Sequence, residues 1–219
     1  MITTLRREEM GKTLVIGANG QIGRRFCQQA AAQGSPVRAM LRDASQQAFF
    51  DELGVESVVG DLAGDMAGAF EGCDAVLFTA GSGAATGLDR TLMIDLNGAM
   101  RAVDQAREAG IQRFVMVSTL HVDPLAGPEK LQPYLVAKRA ADAYLMASEL
   151  DWTVLRPGRL TDTAGSGRVT LSQDASTSGE VSRDNVASFA LAVLNHRAPA
   201  REYVLLDGAT PIAEAVNAG

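Results

Sequence analysis

The sequence predicts an α/β fold in which a parallel β-sheet lies between two layers of helices. Two observations lead to this prediction. Short apolar runs of four to six residues alternate with longer helical patterns along the chain, which is typical of parallel strands buried on both faces. In addition, the first apolar run leads into a glycine-rich loop that opens a helical pattern, at Gly17, Gly20 and Gly23. A chain of 219 residues is expected to form a single domain.

Seven short apolar runs are predicted as strands: residues 12–16, 37–41, 55–59, 75–79, 113–118, 153–156 and 203–206. Five longer patterns are predicted as helices: residues 21–33, 45–53, 88–109, 134–150 and 184–195. Residues that break helices mark the boundaries. Gly34 and Pro36 end the first helix, Gly110 ends the third, Pro133 suits the first turn of the fourth, and Pro157 stops the sixth strand. The alternation predicts a three-layer, doubly wound sheet of the Rossmann type.

The glycine loop contains the residue types that a dinucleotide pyrophosphate requires. Its first glycine makes the turn from strand to helix, its second lets the backbone approach the phosphates, and its third lets the helix pack close to the sheet. The helix then directs free N–H groups and the positive end of its dipole toward the anion. An ordinary tight turn between a strand and a helix is the alternative interpretation.

Charge and composition narrow the classes of function. A net charge of −6 with only three lysines argues against nucleic acid as a partner. No apolar run reaches the length of a membrane span, and residues 1–11 lack a secretory signal. These residues are interpreted as an extension before the first strand, and a cytoplasmic location is expected. Cys27 and Cys73 are expected to be buried thiols. His121 and His196 have no companion at metal-ligand spacing, so no metal site is predicted.

Seven short motifs follow one another in a specific order: residues 17–23 (GANGQIG), 60–62 (GDL), 79–81 (TAG), 113–119 (RFVMVST), 134–138 (YLVAK), 155–158 (LRPG) and 181–187 (VSRDNVA). Together they resemble the short-chain dehydrogenase/reductase superfamily, and most of all its atypical, epimerase-like NAD(P)-binding members. The resemblance implies a nicotinamide dinucleotide cofactor and these binding residues: Gly17, Asn19, Gly20, Gln21, Ile22, Gly23, Arg24, Arg42, Asp61, Leu62, Ala80, Gly81, Lys138, Pro157 and Gly158. It also implies that Asp61 binds the adenine amino group and that Leu62 lies against the base. Ala80 and Gly81 would let the chain pass close to the cofactor.

The end of the second predicted strand indicates which cofactor is used. An acidic residue there would accept hydrogen bonds from the ribose 2′-hydroxyl of NAD, whereas an arginine favours the 2′-phosphate of NADP. Arg42 stands at this position, Asp43 follows it, and Arg24 is a second possible phosphate ligand. NADP is therefore predicted over NAD. The alternative is that Arg42 and Asp43 are solvated loop charges.

Tyr134 and Lys138 are the predicted catalytic pair. Their i,i+4 spacing places them on one face of a helix, where the ammonium is expected to lower the pKa of the phenol from about 10. Tyr134 would then act as a general acid or base on a carbonyl or alcohol oxygen. Ser118 or Thr119 would hydrogen-bond the same oxygen, and the choice between them stays open. By the resemblance, Asp95 occupies the position of a tetrad asparagine and would join a water relay to Lys138. A helix-surface pair of Tyr134 and Lys138 is the alternative interpretation.

The predicted function is NADP(H)-dependent oxidation or reduction of a small carbonyl, alcohol or quinone. Only about sixty residues follow the sixth strand, which leaves no room for the substrate domain of extended epimerases. The region 159–183 is expected to act as a small lid or substrate loop within a domain over 12–219; a plain surface connection is the alternative. A non-catalytic NADP(H)-binding redox sensor and an NAD(P)-dependent epimerase or isomerase are the alternative functions. By the resemblance, the helices over 88–109 and 134–150 would form the interface of a homodimer.

Overall fold

The computed structural model describes residues 11–83, 86–125, 128–172, 177–196 and 201–218, so residues 1–10 of the predicted extension lie outside the described part. The strands are β1 Thr13–Ile16, β2 Val37–Leu41, β3 Glu56–Val59, β4 Ala75–Phe78, β5 Arg113–Val117, β6 Asp151–Pro157, β7 Arg159–Thr161, β8 Arg168–Ser172, β9 Glu180–Ser182, β10 Arg201–Asp207 and β11 Thr210–Pro211. The α-helices are α1 Gln21–Gln33, α2 Ala48–Glu52, α3 Leu88–Arg90, α4 Ala99–Glu108, α5 Gln132–Met146, α6 Arg183–His196 and α7 Ile212–Ala218. Within these described ranges, no helix combines the length and the apolar character needed to cross a membrane.

The central sheet has the doubly wound order that the alternating pattern predicts. Its parallel strands lie in the order β3-β2-β1-β4-β5-β6-β10. Beyond β10 the sheet continues with β8 and β11, and β8 runs antiparallel to both of its neighbours. A separate two-stranded parallel sheet is formed by β7 and β9. The carboxyl ends of the parallel strands therefore meet at one edge, which is where such sheets bind ligands.

Helices cover both faces of the sheet, because successive side chains of a strand point in opposite directions. In β1, Leu14 and Ile16 join a buried cluster that includes Ala102 of α4. Val15, between them, belongs to the cluster on the opposite face, together with Phe26 of α1. The same division runs through the neighbouring strands. Two apolar cores therefore hold the sheet between two layers of helices, and the prediction of three layers is confirmed.

Several parts of the chain differ from their predicted secondary structure. The predicted helix over 45–53 is divided into a 3-10 turn, Ala44–Gln46, and α2, and β11 and α7 were not predicted. The expected single helix over 88–109 is α-helical only at its two ends, and its centre, Thr91–Gly98, is π-helical. Such turns are rare and often occur at functional sites. The region 159–183 contains β7, β8 and β9, which were not predicted. These strands are three to five residues long and carry exposed polar side chains, so their apolar pattern is too weak to detect.

Both cysteines are buried free thiols, as predicted. Cys27 lies on α1 and has no exposed surface. Burial raises the pKa of its thiol to about 12. Cys73 lies just before β4, and burial raises the pKa of its thiol as well. Since the thiolate is the reactive form, neither side chain is suited to nucleophilic chemistry.

Candidate cofactor and active site

The loop after β1 approaches the end of β4 so closely that Gly17 cannot carry a side chain. Gly17 has a φ of 83°, and a Cβ atom on it would lie 2.6 Å from the backbone nitrogen of Ala80. A Cβ on Gly23 would lie 2.4 Å from the carbonyl oxygen of Gly17. Gly20 precedes α1 without a side-chain cap. The N–H groups of the first turn of α1 are therefore available to an anion.

A cavity of about 310 Å³ opens at the carboxyl ends of β1 to β4. Eight of the residues predicted to bind the cofactor line it: Gly17, Asn19, Gly20, Arg42, Asp61, Leu62, Ala80 and Gly81. Its other walls include residues to which the sequence alone assigned no role: Met40, Gln46, Ser82, Thr86, Arg90 and Ile94. The lining contains two arginines and one aspartate, so cations predominate in a chain whose net charge is −6. This composition suits an anionic ligand.

At the end of β2, Arg42 is exposed to the cavity and Asp43 is turned away from it. The carboxylate of Asp43 accepts a hydrogen bond of 2.8 Å from the N–H of Ser45 and caps the short 3-10 helix that follows. This hydrogen bond is the main cause of the lowered pKa of Asp43. Arg42 makes no hydrogen bond and no ion pair within 4 Å to the described residues. The acidic residue is thus engaged locally, while the guanidinium is free to bind a ligand.

Arg24 is held in place by two contacts. Its guanidinium lies 4.5 Å from the centre of the Phe49 ring, which is within the range of a cation–π interaction. Its Nε and Nη2 also donate to Oδ1 of Asn19 over 2.9 and 2.5 Å. Phe49 belongs to α2, which follows β2. Arg24 does not line the cavity, and its guanidinium is held between Asn19, which does line it, and Phe49.

The loop after β3 supplies Asp61 and Leu62. Oδ1 of Asp61 accepts a hydrogen bond of 2.9 Å from the N–H of Ala63, and its second oxygen has no hydrogen-bond partner among the described residues. Leu62 is buried beside Gly98, where a Cβ atom would lie 3.0 Å from that of Leu62. Arg101 of α4 donates to the Leu62 carbonyl oxygen over 2.7 Å. The loop is therefore held firmly at the cavity wall.

Asp95 fastens the loop after β4 to the π-helical stretch. Its side chain is buried, and its Oδ2 accepts a hydrogen bond of 3.0 Å from the N–H of Ser82. Its Oδ1 would lie 3.1 Å from a Cβ atom on Gly81. Asp95 thus fixes the path of residues 79–82 along the cavity. Its participation in a water relay to Lys138 stays a prediction.

Tyr134 and Lys138 lie one turn apart on α5. Lys138 is 3% exposed, and its Nζ donates to the carbonyl oxygen of Val117 over 3.1 Å. Burial lowers the pKa of this amine, although the Asp142 and Asp95 carboxylates act in the opposite direction. Tyr134 is half-buried, and this burial raises the pKa of its phenol to about 12, with Asp95 and Asp142 adding to the increase.

The predicted lowering of the Tyr134 pKa by Lys138 is therefore wrong. The amine is bonded to Val117 rather than to the phenol, and burial together with two carboxylates disfavours the phenolate. With a pKa of about 12, the phenol keeps its proton over the whole physiological pH range.

The two hydroxyls after β5 have different surroundings. Ser118 is buried, and its Oγ donates to Oδ2 of Asp142 over 2.7 Å. Thr119 is half-buried, and its hydroxyl makes no hydrogen bond to the described residues. A hydroxyl has a single proton to donate, and that of Ser118 is already bound to a carboxylate. Thr119 is thus the hydroxyl that remains available for a ligand.

A buried ion pair between Asp142 and Arg156 holds the segment that carries Ser118 and Thr119 in place. Nη1 of Arg156 donates to Oδ2 of Asp142 over 2.8 Å, and both side chains are almost fully buried. The same nitrogen lies 3.4 Å from the carbonyl oxygen of Thr119, and Nε donates to Glu202 over 2.5 Å. The pair therefore joins α5, the loop after β5 and the strands β6 and β10.

The sequence alone identified neither member of this pair. One usable signal was present, because Tyr134, Lys138 and Asp142 follow one another at i, i+4 and i+8 and so share a helical face. For Arg156 no such signal existed. It lies between apolar neighbours in a buried strand, and its partner is reached only when α5 packs on β6.

Seven of the residues predicted to contact the cofactor lie outside the cavity walls: Gln21, Ile22, Gly23, Arg24, Lys138, Pro157 and Gly158. Pro157 is buried at the end of β6, and a Cβ atom on Gly158 would lie 2.5 Å from the carbonyl oxygen of Gly179. Lys138, Pro157 and Gly158 belong to the β5 and β6 side of the sheet, whereas the cavity lies above β1 to β4. Their contact with a cofactor stays a prediction.

Comparisons with known proteins agree with this geometry. Residues 17–197 match the sequence model of a family described as NAD(P)H-binding. An uncharacterized sugar epimerase of Bacillus subtilis, YhfK, is 44% identical over 214 residues, which cover 94% of this chain and 99% of its own length. A solved structure from Bacillus halodurans, proposed to be an NAD-dependent epimerase/dehydratase, superimposes with a TM-score of 0.92 at 38% identity and covers 95% of this chain and 100% of that chain. ChuY, an anaerobilin reductase from Escherichia coli O157:H7, gives a TM-score of 0.76 at 28% identity, covering 90% of this chain and 97% of that chain.

Proposed function

The chain belongs to the NAD(P)H-binding family, and from this premise we propose that it is an NADP(H)-dependent reductase of a small carbonyl compound or quinone. One observation carries the proposal. Tyr134 lies one turn before the buried Lys138 on one face of α5, and its phenol makes no hydrogen bond to the described residues, so its proton is available to a ligand. Reduction needs such a donor, because hydride transfer to a carbonyl carbon leaves negative charge on the oxygen.

The residues around Tyr134 have complementary roles in this proposal. When bound, the nicotinamide cofactor supplies the hydride. Lys138 gives one N–H to Val117, so two donors of its ammonium remain to hold the ribose next to the nicotinamide. The Thr119 hydroxyl and the Tyr134 phenol hydrogen-bond the substrate oxygen, and Tyr134 then transfers its proton to that oxygen.

NADP is the proposed cofactor because of the cations at the end of β2. Arg42 is exposed to the cavity without an ion-pair partner among the described residues, and Asp43 is engaged by Ser45. Arg24 is fixed beside Phe49 of α2, the helix that follows β2. A 2′-phosphate at this point would meet guanidinium groups, which bind phosphate in a bidentate manner. The first test is calorimetric titration with NADP and NAD of the wild type and of Arg42→Ala, in which only the NADP affinity should fall.

The segment 159–183, of which residues 173–176 lie outside the described part of the chain, is proposed to form the substrate side of the single domain over 12–219. It begins directly after β6, and its pairing of β7 with β9 keeps it at the carboxyl edge of the sheet. Asn185 of α6 secures one of its turns by accepting a hydrogen bond of 2.9 Å from the N–H of Gly167. A substrate on this side would lie next to the end of β5, close to Thr119.

An epimerase is the second candidate, and the names of two relatives favour it. Epimerisation through a transient ketone begins with oxidation of an alcohol, for which Tyr134 must act as a base. ChuY, a related structure, is a reductase, which favours reduction over epimerisation. The two functions differ in cofactor use. A reductase consumes one NADPH per product, whereas an epimerase forms product with only catalytic amounts of cofactor.

The decisive assay follows NADPH consumption with a panel of quinones and aldehydes. Tyr134→Phe should lower kcat by about 100-fold or more, because it removes the proton donor. Tyr144→Phe is the matched control, since Tyr144 donates to Asp104, outside the catalytic face of α5. Equal turnover by the two variants would remove Tyr134 from the mechanism. Tight NADPH binding without turnover of any substrate would support a non-catalytic redox sensor instead.

A further inference from the structure

Two guanidinium groups line the cofactor cavity. Arg42 follows β2, and Arg90 is the last residue of α3. Both side chains are exposed. Neither makes a hydrogen bond or an ion pair within 4 Å to any residue in the described part of the chain. In the same lining Asp61 is the single acidic residue, and one of its oxygens is already bound to the N–H of Ala63.

The two arginines reach the cavity from different segments. Arg42 belongs to the wall formed by the glycine loop and the end of β2. Arg90 and Ile94 belong to the segment after β4, which forms another wall. A ligand that fills the cavity therefore contacts both segments. Because the phosphates are the charged groups of a dinucleotide, they are the parts of it to which the two guanidinium groups are complementary.

The wall that carries Arg90 is fastened to the site by Asp95. The carboxylate of Asp95 accepts the N–H of Ser82 over 3.0 Å, and Ser82 itself lines the cavity. Asp95 lies in the π-helical stretch that begins directly after Arg90. The position of this wall relative to the loop after β4 is thus set by a buried hydrogen bond, while the Arg90 side chain stays exposed above the cavity.

We propose that Arg90 is a second phosphate-binding arginine for the cofactor, which contacts the ligand from the wall after β4 while Arg42 contacts it from the end of β2. The group it binds is a phosphoryl oxygen. This oxygen belongs either to the pyrophosphate, which NAD and NADP share, or to the 2′-phosphate, which only NADP carries. The inference rests on the cofactor of the proposed function and not on any step of catalysis.

The test is calorimetric titration of the full chain with NADP and with NAD, comparing the wild type with Arg90→Ala. Arg139→Ala is the matched control, because Arg139 is exposed on α5, does not line the cavity and has no partner among the described residues. Arg90→Ala should weaken NADP binding by about 10-fold, as expected for the loss of a charge-assisted hydrogen bond. Arg90→Lys should recover only part of the affinity, since lysine lacks the planar fork.

The two phosphate sources give different results. An equal loss of NAD affinity would identify the pyrophosphate as the group that Arg90 binds, and an unchanged NAD affinity would identify the 2′-phosphate. If Arg90→Ala binds both dinucleotides as tightly as Arg139→Ala does, the proposal is overturned, whatever the enzyme reduces. Conversely, an NADPH-binding protein that reduces no carbonyl would overturn the proposed function and leave the role of Arg90 standing. A wild type that binds neither dinucleotide would overturn both.

Discussion

The hydroxyl of Ser118 donates a hydrogen bond of 2.7 Å to the carboxylate of Asp142, which lies on the helical face that carries Tyr134 and Lys138. The same carboxylate oxygen accepts Nη1 of Arg156 over 2.8 Å. Hydrogen bonds to a charged acceptor are stronger than those between neutral groups. Ser118 therefore belongs to the framework of the site, and the adjacent Thr119 has the hydroxyl that is available to a substrate.

The first prediction separates these two hydroxyls. Thr119→Val should lower kcat for carbonyl reduction by about 100-fold, because a hydrogen-bond donor to the developing oxyanion is lost. Ser118→Ala is the matched variant and should keep kcat within about threefold, since its hydroxyl serves the carboxylate instead. Steady-state kinetics with NADPH and a reducible quinone measure both values. A larger loss in Ser118→Ala than in Thr119→Val would reverse the assignment.

The second prediction concerns the free energy of unfolding. Asp142→Asn leaves the buried Arg156 without its buried counter-charge and should destabilise the fold by about 3 kcal/mol. The matched control is Glu180→Gln. Glu180 and its ion-pair partner Arg159 are both exposed. That change should cost less than about 1 kcal/mol. Urea denaturation of both variants gives the two values, and similar losses would show that the Asp142–Arg156 pair contributes no more than a surface pair.

The third prediction is a loss of stability at alkaline pH that involves Cys27. The pKa of its thiol is about 12 in the folded chain against 9.0 for an ordinary thiol. Above pH 9.0 the unfolded chain therefore binds fewer protons than the folded one. The free energy by which the buried Cys27 thiol stabilises the fold is fully present below pH 9.0 and is lost as the pH rises toward about 12.

Cys27→Ala should therefore lose less stability than the wild type between about pH 8 and pH 10, about one unit either side of the unfolded-state pKa of 9.0. In a Cys73→Ala background, labelling of Cys27 by a thiol reagent should proceed only as fast as the protein unfolds, because its thiol is buried. Rapid labelling of the folded protein would contradict the burial of Cys27.

The fourth prediction distinguishes backbone strain from close packing in the glycine loop. Gly17→Ala combines a φ of 83° with a Cβ atom only 2.6 Å from the Ala80 nitrogen. Gly54→Ala has a comparable φ of 65° but open space around its Cβ position. Gly54→Ala should cost about 1 kcal/mol from the left-handed conformation alone. Gly17→Ala should cost about 3 kcal/mol and abolish dinucleotide binding.

Thermal denaturation and calorimetric titration of these two variants check the last prediction. Gly54→Ala should retain the wild-type affinity for NADP, because Gly54 does not line the cavity. Equal destabilisation by the two changes would mean that the contact between the loop and the end of β4 adds nothing to the strain at Gly17.

The parallel strands and the glycine loop were predictable because their signals are local. A short apolar run, a glycine at a fixed distance and a helix that starts directly afterwards lie within about a dozen residues of one another. The same holds for the i,i+4 spacing of Tyr134 and Lys138. The short strands of the region 159–183 were missed because polar residues dominate them, so they depend on pairing with distant partners: β8 pairs with β10, and β7 pairs with β9.

By itself, the sequence determined the layered fold, the nicotinamide dinucleotide as the class of cofactor and the helical face that carries Tyr134 and Lys138. Only the tertiary structure decided the direction in which burial shifts the pKa of Tyr134, the engagement of Ser118 by Asp142 and the approach of Arg90 to the cavity. The physical reason is the same in each case. A pKa, the partner of a hydroxyl and the direction of a guanidinium depend on burial and on charges brought together from distant segments, and no local spacing encodes those distances.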